Sequence, residues 1–287
     1  MQRLDVFLAK MNKDVSRGLI QKFIRARGVA VNGKLIKKTH WPVLEDDEIK
    51  FSKKAFKDFL NSQFPNAKSP AIGSESVIFK NKDFFVVDKS PFVKSEDLIN
   101  GHLPVHRLDK DTSGVLVIAN SPVAQAKLQK QWQDRKVLKT YIALIKGVLT
   151  PSKGAVEAGI ARSLKDRRKM AVSSSSKSRG AVTEYEVISH IEEPQSGEKL
   201  TLVKAFPKTG RTHQIRVHFA SIHHPVVGDS VYGDKKINNI FAKKYGLKRQ
   251  FLHAAELELV NPSTGKRATF TSKIPDDLAG VLKKLEK

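Results

Sequence analysis

The run GVLVIA, Gly114 to Ala119, constrains the fold more than any other stretch of the chain. The backbone turns through Thr112 and Ser113 into six residues without a polar side chain, a strand long enough to be central in a sheet. Further strand patterns surround it. VIF and FFVVD flank Asn81-Lys82-Asp83 as a hairpin, and KTYIALIKGVL, GAVTEYEVISHI, KLTLVKAF, HAAELELV and RATFTSK all read as strands, with turns at 194–197 and 261–265. Helix signals are few. Ser121 caps and Pro122 starts one helix with Ala124, Leu128 and Trp132 along one side, and Leu278, Val281, Leu282 and Leu285 mark a last short one. Mixed strands with sparse helices predict an α+β fold around a central, mostly antiparallel sheet.

The first 60 residues read as a separate small α/β unit. Leu4, Phe7, Leu8 and Met11 give one helix an apolar face. Ser16 is the expected N-cap of a second, with Leu19, Ile20, Phe23 and Ile24 inside and Gly28 as the stop. In VAVNGKLI, Asn32-Gly33 predicts a type I′ hairpin turn, and EDDEIKF a further short strand. A short helix through Ala55, Phe56, Phe59 and Leu60 follows. Residues 61–76 are rich in Ser, Pro, Gly and Asn and read as a linker, leaving 77–287 as the larger domain.

Charge narrows the partner. Lys and Arg number 52 against 29 Asp and Glu, a net +23, which concentrates polyanions and fits a nucleic acid. The chain has no cysteine, so thiolate nucleophiles and Cys-based metal sites are excluded. No segment approaches the ~18 unbroken apolar residues of a membrane span. Early charges at Asp5, Lys10, Lys13 and Asp14 leave no room for a secretory core. A cytoplasmic monomer is the expectation. Neither GxGxxG after a strand nor GxxxxGK[ST] occurs, so no nucleotide cofactor is expected. His213, His218, His223, His224 and His253 lack the spacing of a zinc site such as HExxH, and structural or RNA-contacting roles are expected for them.

Two stretches carry chemistry. In HRLDKDTSGVLVIA, Asp109 sits between Arg107 and Lys110 at the mouth of the central strand. In KTGRTHQIRVHFASIHHPVVGD, Ile215, Phe219 and Ile222 predict a helix from near Thr212 to before Pro225, with His213 and Arg216 one turn apart on one side. Strand alternation through Ile215, Val217 and Phe219 competes and fails at Ala220-Ser221.

With these motifs and their order, residues 77–287 resemble the RluA-type pseudouridine synthases, and residues 1–60 resemble the S4-type RNA-binding domain. The catalytic resemblance rests on HRLDKDTSGVLVIA, KTYIALIKG and TGRTHQIRVHFASIHHPVVGDSVYG. It implies the pseudouridine synthase fold, no cofactor, and isomerisation of uridine in structured RNA, with large-subunit ribosomal RNA expected from the S4-type unit. A transfer-RNA enzyme of the same class and a non-catalytic RNA-binding assembly factor are the alternatives. By resemblance Asp109 is the essential aspartate, Tyr141 packs on the everted base and Arg216 pairs with Asp109. Arg107 matches the arginine that enters the RNA helix; a plain salt bridge to Asp109 or Asp111 is its other reading. FFVVDKSPFVKSED and RSLKDRRKMAVSSSSKSR match the family less closely, the second lacking a His-Pro pair and gaining a serine run. Arg17, Lys22, Arg25 and Lys34 in the first unit, and Arg168 and Arg211 in the second, are the candidate RNA contacts. Any one of them is an ordinary solvated cation; the cluster is what phosphate binding requires.

The reaction suits these residue types. Converting uridine into its C-glycoside breaks one glycosidic bond, rotates the base and makes another bond at C5, with no redox or energy input. A carboxylate that attacks sugar or base, or takes a sugar proton, is indispensable. An aspartate is ionised at pH 7, and a guanidinium within ~4–6 Å favours that form. Asp109 is therefore expected to act as nucleophile or base, not as general acid, and the cations beside it hold one negative group against a negative polymer. For Tyr141, ring stacking on uracil and hydroxyl help at the C5 proton both stay open. His106 and His213 are expected to orient the backbone.

Overall fold

The computed structural model describes residues 1–12, 15, 17–52, 54–56, 58–59, 76–98, 103–164, 166–167 and 169–286. Of the linker reading at 61–76, residues 61–75 lie outside them and Ser76 already belongs to a strand; the Ser16 cap and Arg168 also lie outside.

In the N-terminal unit, β1 (Gln2–Arg3) leads into α1 (Leu4–Met11) and α2 (Arg17–Arg27), followed by β2 (Val29–Val31), β3 (Lys34–Ile36), β4 (Pro42–Val43) and β5 (Ile49–Lys50). Asn32 and Gly33 both take positive φ, 50° and 76°, as a type I′ turn requires. Leu4, Leu8, Leu19, Ile20, Phe23 and Ile24 share one core with the buried Phe56 and Phe59. Met11 departs from the apolar face expected of it and is exposed, whereas Asp5 is fully buried. A buried carboxylate needs partners, and Arg17, Arg3 and Gln21 supply them.

The larger unit is built on a ten-stranded sheet. It contains β6 (Ser76–Lys80), β7 (Phe84–Lys89), β8 (Leu103–Pro104), β9 (Ser113–Ala119), β10 (Leu138–Lys146), β11 (Lys153–Glu157), β14 (Val182–Glu192), β15 (Lys199–Pro207), β16 (Leu252–Val260) and β17 (Arg267–Thr271). The main order is β11-β14-β15-β10-β16-β9-β7-β6, and β8 also pairs with β9 and β17 with β16. Every pairing is antiparallel except the short one between β9 and β16. β12 (Ile160–Arg162) and β13 (Met170–Val172) form a separate hairpin.

β9 is buried at all seven residues because both its faces are covered. Val115, Val117 and Ala119 pack with Ala124 and Leu128 of α3 (Pro122–Gln133), while Leu116 and Ile118 pack with Phe85, Val87 and Leu108. Ser121 caps α3, accepting the Ala124 amide, with Pro122 at its first turn as expected. In β10 the faces also alternate. Ala143 and Ile145 meet Ile215 and Phe219 of α4 (Gln214–Ser221). Ile142 and Leu144 meet α5 (Lys235–Ile240), a π-turn at Phe241–Tyr245 and α6 (Asp276–Leu285).

The middle of the sheet is forked. One edge of β16 pairs with β9 through His253 and Ala254, then with β17 from Glu256 to Val260. Across it, Tyr141 of β10 lies opposite Ala254, which lies opposite Gly114, so the Asp109 loop and Tyr141 meet at one row. A bulge at this row skips Ala255 and re-aims Tyr141. Gly114, at φ +115°, brings β9 close enough that a Cβ there would sit 2.2 Å from the Ala254 carbonyl oxygen. Gly114→Ala is therefore expected to cost about 3 kcal/mol, from backbone strain and overpacking together. A urea melt that loses less than about 1 kcal/mol, a loss usual for any point mutant, would show that the two strands can part freely.

Candidate active site

The loop before β9 is fixed from both sides. Ser95 Oγ bonds both the amide and the carbonyl of Leu108, at 3.0 and 3.1 Å. The buried Lys89 ammonium donates to the carbonyls of Ser90, Val93 and Lys110. His106 stacks on Trp132 and accepts the Val117 amide through Nε2 at 3.0 Å. Burial, helped by the charge of Lys139, lowers its pKa to about 3, so the ring is the neutral acceptor this bond requires. Asp109 is held between these anchors.

Its partner comes from the first turn of α4. Gln214 ties that turn down, accepting from Thr209 Oγ1 and the Arg211 amide while donating to the Val182 carbonyl and Thr183 Oγ1. Arg216 then reaches Asp109 Oδ2 through Nη1 at 2.9 Å. Its other two nitrogens grip Asp229, Nε to Oδ2 at 2.6 Å and Nη2 to Oδ1 at 2.8 Å. The guanidinium thus bridges a fully buried carboxylate and one that is 20% exposed. Burial pushes Arg216 down, but the hydrogen bonds and charge of Asp229, then of Asp109, raise its pKa overall and keep it cationic.

His213 stands at the entry to α4 with φ +56°, so it caps the helix instead of lying on it, and the helix starts at Gln214 rather than near Thr212. The tight turn still brings its Nε2 to 3.9 Å from Asp109 Oδ1. Its Nδ1 is 2.8 Å from the Tyr232 hydroxyl, which accepts the Met170 amide. A phenolic oxygen can accept twice, so the bond between Tyr232 and His213 runs in the direction set by the imidazole tautomer. Burial lowers the His213 pKa.

Asp109, Tyr141, His213 and Arg216 line a cavity of about 290 Å³, with Arg107, Trp132, Lys139 and Arg211 also in its wall. Burial, and after it the charge of Asp109, raises the Tyr141 pKa well above the usual phenol range, so its hydroxyl keeps its proton.

The expected trio is therefore assembled, Arg216 meets Asp109 as expected, and of the two readings of Arg107 the salt bridge is not seen. Arg107 does not pair with Asp109 or Asp111. Its exposed side chain reaches Glu96 at 3.3 Å. Arg17 is taken up by the buried Asp5 at 2.9 Å, whereas Lys22, Arg25 and Lys34 are exposed. The histidines are dispersed: His218 bonds Thr183, His224 the Lys146 carbonyl, and His253 bonds Ser113 and Ser272. Sequence reading missed Asp229, Tyr232 and Lys139. Asp229 and Tyr232 lie within the quoted motif, where an acid after Val226-Val227-Gly228 hints at a buried, partnered carboxylate.

Comparison with known proteins identifies the family. A family model described as RNA pseudouridylate synthase matches residues 91–221, and an S4 domain model matches residues 2–49. An uncharacterised RNA pseudouridine synthase of Aquifex aeolicus is 33% identical over 99% of this chain and 94% of its own. The ribosomal large subunit pseudouridine synthase D of Vibrio parahaemolyticus is 32% identical over 100% of this chain and 91% of its own. Among solved structures, human RNA pseudouridylate synthase domain containing 4 superposes with a TM-score of 0.60 at 25% identity, covering 74% of this chain and 93% of that one. Fold, motif order and near full-length relatives converge: this chain belongs to the RNA pseudouridine synthase family, isomerases that act on RNA.

Proposed function

We propose that the protein converts uridine to pseudouridine in large-subunit ribosomal RNA, with Asp109 as the nucleophile or base. The observation that carries this reading is the Asp109 carboxylate, partly exposed in a cavity yet tied by one arm of a guanidinium whose other arms are anchored in the core. Such a group accepts a charge-assisted hydrogen bond that keeps its aim. Tyr141 forms a wall of the same cavity and supplies a ring for the everted uracil to stack on. Its hydroxyl enters turnover as a neutral phenol, which suits it to donate a hydrogen bond rather than to take the C5 proton. Arg107, exposed at the cavity rim, is free to enter the space the uridine leaves by giving up a solvent-screened contact with Glu96.

Ribosomal RNA is favoured because relatives from Vibrio parahaemolyticus and Zymomonas mobilis carry the name ribosomal large subunit pseudouridine synthase D. Lys22, Arg25 and Lys34, exposed on α2 and β3, supply phosphate contacts in the S4-type unit. Every residue of the site comes from one chain, so a monomer suffices. No helix among the described residues is long and apolar enough to cross a membrane, in keeping with work in the cytoplasm.

The test is to incubate the purified protein with large-subunit ribosomal RNA and with transfer RNA, then map pseudouridines by carbodiimide-induced primer-extension stops. New stops confined to the ribosomal RNA are expected. Stops only in transfer RNA would move the substrate, and none in either would favour an assembly factor.

A further inference from the structure

A second cavity, of about 160 Å³, adjoins the first and shares Trp132, Lys139, Thr209, Gly210 and Arg211 with its wall. Arg135, Lys139, Lys208 and Arg211 line it, and no carboxylate does. Among the described residues, no acidic side chain pairs with Arg135, Lys139 or Arg211. Lys139 Nζ and Arg211 Nε reach only carbonyl oxygens, of Thr209 at 3.2 Å and Gly180 at 3.3 Å. Lys208 has a partner, Glu184 at 2.7 Å, on the exposed side.

These cations repel one another. Burial lowers the Lys139 pKa to about 8, and the charge of Lys208 adds to the effect. Burial likewise lowers Arg211, followed by Arg179 and Arg135. Arg135 also sits at φ +58°, one residue beyond the Asp134 cap of α3, where glycine is the ordinary occupant. A strained arginine that shares a cavity with three other cations and repels Arg211 is unfavourable for the empty protein. An anion in the cavity relieves both the repulsion and the missing ion pairs.

We propose that this second cavity is a phosphodiester site that grips the RNA strand next to the everted nucleotide, through Arg135, Lys139, Lys208 and Arg211. Placement chooses a polymer over a free anion. The shared wall lets one strand run from the base cavity into the cationic one, and a group bonded to the reacting nucleotide arrives at high effective concentration. The inference rests on the reading of the first cavity as the uridine site.

The test uses the full chain with the ribosomal RNA that it modifies. Arg135→Gly removes the cation while relieving the backbone, so the variant is expected to melt no lower than the wild type. Its KM should rise about tenfold with kcat within twofold, because the contact precedes chemistry and is kept through it. The double variant Arg135→Gly/Lys208→Gln should flatten the salt dependence of RNA affinity by about 0.7 in log–log slope per cation removed. Arg135→Lys, which restores charge without the fork, should recover part of the KM loss. Unchanged KM and slope in the double variant would overturn the proposal. So would an inorganic phosphate effect on wild-type melting that Arg135→Gly abolishes while the KM for RNA stays put, since that marks a free-anion site. A wild type that modifies no RNA but whose salt slope falls in the double variant would remove the uridine reading and leave the phosphodiester site standing.

Discussion

Asp109→Asn is expected to form no measurable pseudouridine, a fall in rate of at least about 10⁴-fold, while RNA affinity stays within tenfold of the wild type. The magnitude follows from the removal of a nucleophile or base that the remaining groups cannot replace. Asn has nearly the same shape but neither attacks nor takes a proton at neutral pH. Arg216 stays in place, because Asp229 holds two of its three contacting nitrogens. The fold is therefore preserved, and melting should shift by only a few degrees. The measurement is single-turnover pseudouridine formation beside a filter-binding isotherm on the same RNA. Activity within tenfold of the wild type would remove Asp109 from the chemistry, while a collapse of both activity and melting temperature would make it a structural anchor.

Asp229→Asn is expected to cost about 3–5 kcal/mol of stability and at least about 100-fold in rate, although Asp229 does not line the cavity. Asp229 is fully buried, and its loss leaves a guanidinium in the interior with a single, partly exposed counter-ion. The Val231 and Tyr232 amides, at 2.8 and 3.0 Å from Oδ1, lose a charged acceptor as well. With its anchor gone, Arg216 swings, and an error of about 1 Å in aim is enough for the loss of rate. Burial pushes the Asp229 pKa up, but the bonds and charge of Arg216 and the two amides outweigh it and lower the pKa overall. A depressed folded pKa means this stabilisation is complete above the unfolded value near ~3.9 and is lost as pH falls through the folded one. The wild type should thus lose stability below about pH 4, and Asp229→Asn should lose less over the same range. Urea melts at pH 3 and pH 7 on both proteins measure the difference. Parallel losses would place the acid sensitivity elsewhere.

What could be read from the chain was whatever is written locally. Gly114–Ala119, Leu138–Lys146 and Leu252–Val260 are long enough to declare themselves strands, and Asn32-Gly33 declares its turn. β11 was missed because Gly and charge interrupt it and its partner β14 is distant, and β12 and β13 because three residues each are too few to show a period. The helical stretch at 235–245 escaped too, although Ile237, Phe241 and Tyr245 recur every fourth residue and are all buried. At the site, Asp109, Tyr141 and Arg216 stand in recognisable motifs. The grip of Asp229 on Arg216 spans thirteen residues and a turn, and no helical or strand period predicts it. For Arg107 adjacency left two readings open, RNA contact or a pair with Asp109 or Asp111, and the contact it makes in the fold is with Glu96.

The sharing of the Arg216 guanidinium between two carboxylates has a consequence for turnover. Whatever bond the carboxylate at position 109 makes or gives up, only one of the guanidinium's attachments is at stake. An enzyme built so can be emptied and refilled many times without its interior repacking, and evolution can alter the RNA it selects by editing its rim alone.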